Sequence, residues 1–110
     1  MERAEYADLA ARHWNQNVKG KTNPYTSING NMFSFLDKGG NLAVRLSPQQ
    51  RAAHNEAHDL GPVMQYGAVM KDYVWVPEAV VGDANALDDL LQNAMEFAKS
   101  LKPKPAKKEH

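Results

Sequence analysis

Apolar residues recur at helical spacing in two segments, one near each end of the chain. The first segment runs from Glu2 to about Asn17, with polar residues available for its wet side. The second begins at Asp83, whose side chain suits a helix N-cap, and carries the strongest apolar stripe in the sequence. Each segment has one face formed by residues at helical spacing. These are Tyr6, Leu9, Ala10 and His13 in the first segment and Leu87, Leu90, Leu91, Ala94, Ala98 and Leu101 in the second.

Between these helices, short stretches of apolar and β-branched residues predict strands. Asn29-Gly30 tolerates the positive φ angles of a tight turn and predicts a hairpin between the first two strands. Pro77 has no amide hydrogen to donate and should end the last strand. The predicted strands are 25–28, 32–36, 42–46, 63–66 and 73–76, with residues 67–72 as the loop of a second hairpin.

A third helix is expected between the two hairpins. Ser47 can cap its N-terminus, Pro48 suits the first helical position, and Gln50 can close a capping box. The helix should run to about Asp59 and stop before Gly61-Pro62. Its apolar content is thin, so we expect it on the rim of the fold.

The predicted element order is therefore α-β-β-β-α-β-β-α. Two hairpins with helices of moderate length favour a two-layer α+β domain, an antiparallel five-stranded sheet with helices on one face. Residues 1–101 are expected to form this single domain. Residues 102–110 are rich in lysine and proline and are expected to be a disordered tail.

Composition excludes several chemistries. The 110 residues include no cysteine, which excludes disulfides, thiolate metal sites and cysteine nucleophiles. No apolar run approaches the roughly 20 residues that cross a bilayer, and the acidic N-terminus does not suit a secretory signal, so a cytoplasmic location is expected. The formal net charge is zero, with lysines concentrated in the tail, so the body is acidic and shows no obvious basic face for nucleic acid.

Three stretches in order resemble the TfoX/Sxy N-terminal domain family: 30–33 (Gly-Asn-Met-Phe), 41–47 (Asn-Leu-Ala-Val-Arg-Leu-Ser) and 70–77 (Met-Lys-Asp-Tyr-Val-Trp-Val-Pro). The chain departs from the family at 23–27 (Asn-Pro-Tyr-Thr-Ser), where a Met-Phe-Gly segment is common. The resemblance implies a fold shared with the YjbR-like and type III secretion chaperone-like domains. Longer members are linked to regulation of competence genes and carry a second domain. No catalytic residue is implied.

The pair His54 and His58 is the one candidate metal site. Two imidazoles one helical turn apart can chelate zinc or nickel, although the acid between them is not placed as in metalloproteases. A third ligand would have to come from Asp59, Glu56, His13 or a distant acid. An ordinary solvated helix face explains the pair more simply, and we predict no metal and no cofactor. A small metal-binding protein or enzyme centred on these histidines is an alternative.

No catalytic constellation is visible. His13 lies beside Trp14 on the first helix, and no serine, cysteine or acid partners it by local spacing, so a partly buried structural histidine is expected. Asp88 and Asp89 should point along the wet side of the last helix. Phosphate loops and the Gly-x-Ser-x-Gly elbow are absent. The sequence therefore favours a non-enzymatic protein.

Tyr73 and Trp75 should project from one face of the last strand, opposite Val74 and Val76. If the helices cover the valine side, the aromatic residues occupy the other face of the sheet. Three interpretations stay open: they stack on nucleic-acid bases, they seal a homodimer, or the register is reversed and they belong to the core.

Arg45 and Lys71 are the only basic residues of the predicted sheet and its second hairpin. With Arg12, Lys19 and Lys21 they would form an anion-binding patch, or all five are ordinary solvated charges.

The leading hypothesis is a non-enzymatic interaction or regulatory module, homodimeric, with an unidentified protein partner and no membrane association. Its expected interaction surface is Tyr73, Trp75, Arg45 and Lys71. The alternative is a nucleic-acid-associated transcriptional or competence regulator that uses the basic tail and the sheet face.

Overall fold

Five antiparallel strands form one sheet in the computed structural model, which describes residues 1–65 and 67–103. Their order across the sheet is β1-β2-β3-β5-β4, and the helices pack on one face, which confirms the predicted α+β fold. The strands are β1 (Tyr25–Ile28), β2 (Asn31–Leu36), β3 (Leu42–Arg45), β4 (Pro62–Gln65) and β5 (Ala68–Trp75).

Four α-helices accompany the sheet within the described residues, where the sequence predicted three. The additional helix is a single turn after β5, and Pro77 is its N-cap residue. The helices are α1 (Arg3–Leu9), α2 (Pro48–Asn55), α3 (Glu78–Val81) and α4 (Ala84–Ser100).

The first helix is shorter than predicted. Regular α-helix ends at Leu9, and Ala10–Trp14 continues as a π-helical turn. Asn15 then adopts a left-handed conformation (φ 54°), which asparagine tolerates better than most residues and which ends the helix. The Trp14 indole N–H donates to the Leu91 carbonyl at 2.7 Å, which fixes this end of the helix against α4.

The first hairpin forms as predicted. Asn29 and Gly30 have φ angles of 54° and 80°, and Ile28 pairs with Asn31 across the turn. The register shifts between Thr26 and Ser27, so β2 carries an extra residue opposite β1. This bulge explains why Phe33 and Ser34 are both fully buried although they are neighbours along a strand.

The second hairpin differs from the prediction. Residues 67–72 were expected to be a loop, but β5 begins at Ala68 and pairs with β4 from there. Gly67 (φ 77°) supplies the turn, so the connection is much tighter than the sequence suggested. Asp72 has a φ of 73° and interrupts the regular strand. Tyr66, predicted as the last residue of the first strand of this hairpin, lies outside the described residues.

Helix α2 begins as predicted and ends early. Ser47 and Gln50 form a reciprocal capping box with Pro48 at the first helical position. The helix ends at Asn55 and not near Asp59, because the Asn55 side-chain oxygen accepts the Leu60 amide at 2.8 Å and so closes a local turn. None of its residues is buried, which confirms the expected rim position.

Helix α4 covers one face of the sheet and supplies much of the core. Asp83 caps it by accepting the amides of Asn85 and Ala86, as predicted. Its predicted stripe faces inward: Leu87, Leu90, Leu91, Ala94 and Ala98 are buried, and Leu101 is half-buried.

The predicted tail is only partly described. Lys102 was assigned to it, yet its carbonyl accepts a hydrogen bond from the Asn31 side-chain amide at 3.1 Å. Residues 104–110, which include most of the tail lysines, lie outside the described residues.

Candidate interaction surface

The two faces of the sheet carry different apolar residues. Val44, Val74 and Val76 point toward the helices and join the main core. Tyr73 and Trp75 lie on the opposite face, in a second apolar cluster. The predicted alternation along β5 is therefore present, and the register is not reversed, although Tyr73 is itself buried in this second cluster. We call Met32, Phe35, Tyr73 and Trp75 the aromatic face.

One row of apolar residues crosses four neighbouring strands on the aromatic face. Phe35 pairs with Tyr25 on one side and with Ala43 on the other, and Ala43 pairs with Trp75. The Phe35 ring centroid lies 5.8 Å from that of Tyr73 and 5.9 Å from that of Trp75, in tilted and edge-to-face geometry. These are favourable aromatic distances, so the row is a continuous surface.

Tyr73 is the buried member of the aromatic face. It is 6% exposed, and its hydroxyl donates to the Met32 carbonyl at 2.7 Å. Burial raises the pKa of Tyr73 to about 12, although the nearby Arg45 acts in the other direction. Tyr73 is therefore a fixed, neutral side chain near neutral pH, and the accessible part of the surface is Met32, Phe35 and Trp75.

Arg45 closes one end of the aromatic face. It pairs with Tyr73 across the strands, and its guanidinium carbon lies 5.8 Å from the ring centroids of both Tyr73 and Phe97. One guanidinium nitrogen is 3.7 Å from an Asp72 carboxylate oxygen. Because this charge is held between two rings and a carboxylate, Arg45 stabilises the surface from its edge.

Lys71 is separated from the residues it was predicted to accompany. It lines a groove between α2 and β5, together with Arg51 of α2. The positive φ of the neighbouring Asp72 breaks the strand alternation that the prediction assumed. The other basic residues of the suggested patch lie elsewhere: Arg12 bonds Asp8 at 2.8 Å, and the Lys19 ammonium donates to the Ser27 hydroxyl at 3.3 Å.

A cavity of about 620 Å³ opens beside the aromatic face. Met32 and Phe35 line it from β2, and Ala68 and Met70 line it from the start of β5. The tip of the second hairpin thus approaches the first hairpin across this face. The rim includes Lys38, which is exposed.

The histidine pair does not form a metal centre in the described part of the chain. His54 Nε2 accepts a hydrogen bond from the Asn93 side-chain amide at 2.7 Å, so this nitrogen already has a partner. His58 lies beyond the end of α2. Both histidines and Asp89 line a small cavity of about 150 Å³. Among residues 1–65 and 67–103, no group of three or more metal-ligating side chains is placed to hold an ion.

His13 has an acidic partner that local spacing did not reveal. Its Nδ1 lies 3.1 Å from an Asp88 carboxylate oxygen, 75 positions away in the chain. The His13 side chain is 17% exposed and that of Asp88 is 62% exposed. The contact ties the π-helical turn to the first half of α4, which fits the structural role expected for this histidine.

Sequence reasoning missed Phe35 and Met32 as members of the surface. Both lie in a strand whose period-2 pattern is broken by the bulge, so neither could be assigned to a face. The pairing of Phe35 with Ala43 depends on the register between β2 and β3, which the sequence does not determine.

None of the described helices is long and apolar enough to cross a membrane. No protein-family model, no curated protein and no solved structure matches the chain.

Proposed function

We propose that this protein is a cytoplasmic, non-enzymatic interaction module that forms a homodimer through its aromatic face. The observation that carries the proposal is the apolar row across β1, β2, β3 and β5 on the face opposite the helices. Phe35 and Trp75 are only partly buried there, although every neighbour in the row is apolar or aromatic. Contiguous apolar surfaces of this kind usually mark partners.

A second copy of the chain suits this surface. Two sheets pack face to face at about 10 Å when their facing side chains interdigitate. Trp75, Phe35 and Met32 are large and present little charge, so they match an identical apolar row related by a two-fold axis. Arg45 is neutralised by Asp72 at the end of the row, so the two copies do not bring unpaired cations together there.

The resemblance to the TfoX/Sxy N-terminal domain supports a regulatory role for such a dimer. The two-layer α+β architecture is the one that the resemblance implies, and we propose the relationship on that basis together with the ordered succession of matching segments. A role in regulation would then depend on which protein the dimer contacts.

The test is the molar mass in solution, measured by sedimentation equilibrium from micromolar to near-millimolar protein. We expect a concentration-dependent dimer for the natural chain and a monomer for Trp75→Ala. Met64→Ala is the matched control, because Met64 is 57% exposed and lies outside the aromatic face. Circular dichroism verifies that both variants fold. A natural chain that is monomeric throughout, or a Trp75→Ala variant with the mass of a dimer, would refute the proposal.

A further inference from the structure

Strand β5 has a neighbour on each edge, but neither neighbour pairs with its whole length. On one side β4 pairs with Ala68, Val69 and Val74, and the register shifts between Pro62 and Met64. On the other side β3 reaches only Tyr73, Val74 and Trp75. The Leu46 amide donates to the Asp72 carbonyl at 2.8 Å, and the chain then turns away at Ser47 to begin α2. Within the described residues, no strand pairs with this second edge of residues 68–71.

A groove of about 610 Å³ lies beside this unpaired edge, between β5 and α2. Its apolar lining comes from both walls: Pro48 and Ala52 from α2, Val69 and Met70 from β5. Val69 is 64% exposed, which makes it one of two large hydrophobic residues of the described chain that are mostly open to solvent. An open strand edge beside an apolar groove is the arrangement by which sheets accept an added strand.

The groove is also cationic. Arg51 lines it from α2 and Lys71 from β5. Among the described residues that line the groove, Asp72 is the only carboxylate, and it lies 3.7 Å from the Arg45 guanidinium. Arg51 and Lys71 therefore bring two positive charges to the groove, and the single carboxylate cannot balance both. This excess of positive charge favours an acidic occupant.

We propose that this groove binds an extended acidic peptide of a partner protein, in which apolar and acidic residues alternate and which pairs as a strand with the free edge of Ala68–Lys71. Backbone hydrogen bonds to β5 would hold the peptide, its apolar side chains would lie on the side of Met70, and its carboxylates would lie on the side of Lys71 and meet Lys71 and Arg51. The protein's own lysine-rich terminal segment has the wrong charge for this role.

This inference rests on the proposed role as an interaction module, but it does not depend on the dimer. Met70 lines the groove and also packs against the cluster of the aromatic face, whereas Arg51 and Lys71, which select the peptide, are outside that cluster. The two can therefore fail separately. Loss of the dimer in Trp75→Ala should leave peptide binding unchanged, and filling of the groove should leave the molar mass of the dimer unchanged apart from the added peptide.

The probe is a set of synthetic octapeptides with blocked ends, in which Val, Ile, Leu or Phe alternates with Asp or Glu. A matched set carries Lys at every acidic position. Fluorescence anisotropy of labelled peptides is expected to show binding for members of the acidic set and at least tenfold weaker binding for their lysine counterparts. If no acidic peptide binds at millimolar concentration, or if the two sets bind alike, the proposal is wrong.

Charge reversal identifies the groove. Arg51→Glu combined with Lys71→Glu should weaken the acidic peptides at least tenfold and strengthen the lysine peptides. The control pair Lys38→Glu and Lys99→Glu changes the net charge equally at exposed positions outside the groove lining and should leave the preference for acidic peptides intact. Equal weakening in both double variants would show a non-specific charge effect and would overturn the assignment.

Amide hydrogen exchange tests the strand pairing. Binding of an acidic peptide should slow exchange within residues 68–71 at the amides that do not bond to β4. A peptide with N-methyl groups on the edge facing β5 should lose both the affinity and the protection. Unchanged exchange in this segment would overturn the pairing. Protection that grows with protein concentration in the absence of peptide would instead assign the edge to a second copy of the chain.

Discussion

The two faces of the sheet bury apolar residues by different means. On the helix-covered face, Val44 and Val74 are completely inaccessible and pack with Leu91 of α4 in the main core. On the aromatic face, the Phe35 ring contacts the rings of Tyr73 and Trp75, but Phe35 and Trp75 keep part of their surface in water. Both faces belong to the same strands, and alternating side chains give each face an apolar surface. The helices cover only one of these surfaces.

This difference has an energetic consequence. Each large side chain removed fully from water contributes about 1.5–3 kcal/mol, so the helix-covered face stabilises the monomer strongly. The half-exposed side chains of the aromatic face contribute less to the monomer and hold unused apolar surface. We therefore expect substitutions on the first face to change folding and substitutions on the second face to change association.

The strongest contrast should come from Leu91→Ala. Leu91 is fully buried between α4 and the sheet, so truncation should lower the free energy of unfolding by about 3 kcal/mol, measured by urea denaturation. The matched variant is Leu101→Ala, which shortens a half-buried leucine at the end of the same helix and should cost much less. Equal losses for the two variants would contradict the assignment of the core.

A second contrast concerns the buried polar contacts of the helix-covered face. Ser34 Oγ lies 2.6 Å from the Tyr6 hydroxyl and also hydrogen bonds to Thr26 Oγ1. All three side chains are buried, so Ser34→Ala leaves two hydroxyls without this partner and should cost about 2 kcal/mol of stability. Tyr6→Phe should cost less, because it leaves the bond between Ser34 and Thr26 in place. The reverse ranking in urea denaturation would argue against the shared role of Ser34.

The pH dependence of the free energy of unfolding tests a buried tyrosine on each face of the sheet. Burial raises the pKa of Tyr6, on the helix-covered face, and of Tyr73, on the aromatic face, from 10.0 to about 12. Well below pH 10 both tyrosines are neutral in either state, so their contribution is complete there. Between pH 10 and 12 the unfolded chain ionises first, and each tyrosine should lower stability by about 1.4 kcal/mol per pH unit.

Denaturation at several pH values above 10 measures this slope. Tyr73→Phe should remove about half of it. A slope in Tyr73→Phe equal to that of the natural protein would show that Tyr73 is not buried as described.

The smallest effect on folding is expected at Trp75. In dilute solution, Trp75→Ser should lower the free energy of unfolding by only about 1 kcal/mol, because the side chain is only partly buried and contacts one neighbouring ring closely. At high protein concentration the loss should grow, because dimerisation adds stability to the natural chain alone. A loss independent of concentration would place Trp75 in the monomer core.

Local patterns predicted much of this fold. The Asn29-Gly30 turn, the capping box of Ser47 and the stripe of α4 each depend on residues close in sequence, and each formed as expected. The alternation of Tyr73 and Trp75 with the valines correctly placed the two pairs on opposite faces, but it left open which face the helices cover.

Features that depend on distant residues were not predictable in the same way. The bulge in β2 hid the role of Phe35, and the positive φ of Asp72 moved Lys71 out of the expected surface and into the groove. The acidic partner of His13, Asp88, lies 75 positions away in α4. The early end of α2 came from the hydrogen bond that the Leu60 amide donates to the Asn55 side chain, which competes with the helix. No glycine or proline at that position in the sequence signals the end.

The most direct test of the difference between the two faces is the solvent accessibility of the protein's two tryptophans, measured as a function of protein concentration. Trp14 is 5% exposed and packs edge-to-face on Phe33 in the helix-covered core, whereas Trp75 lies on the aromatic face. Acrylamide quenching should therefore show one tryptophan shielded at all concentrations and one that becomes shielded as the concentration rises. Quenching of Trp75 that stays the same from micromolar to near-millimolar protein would contradict the account, because the aromatic face would then remain open to water.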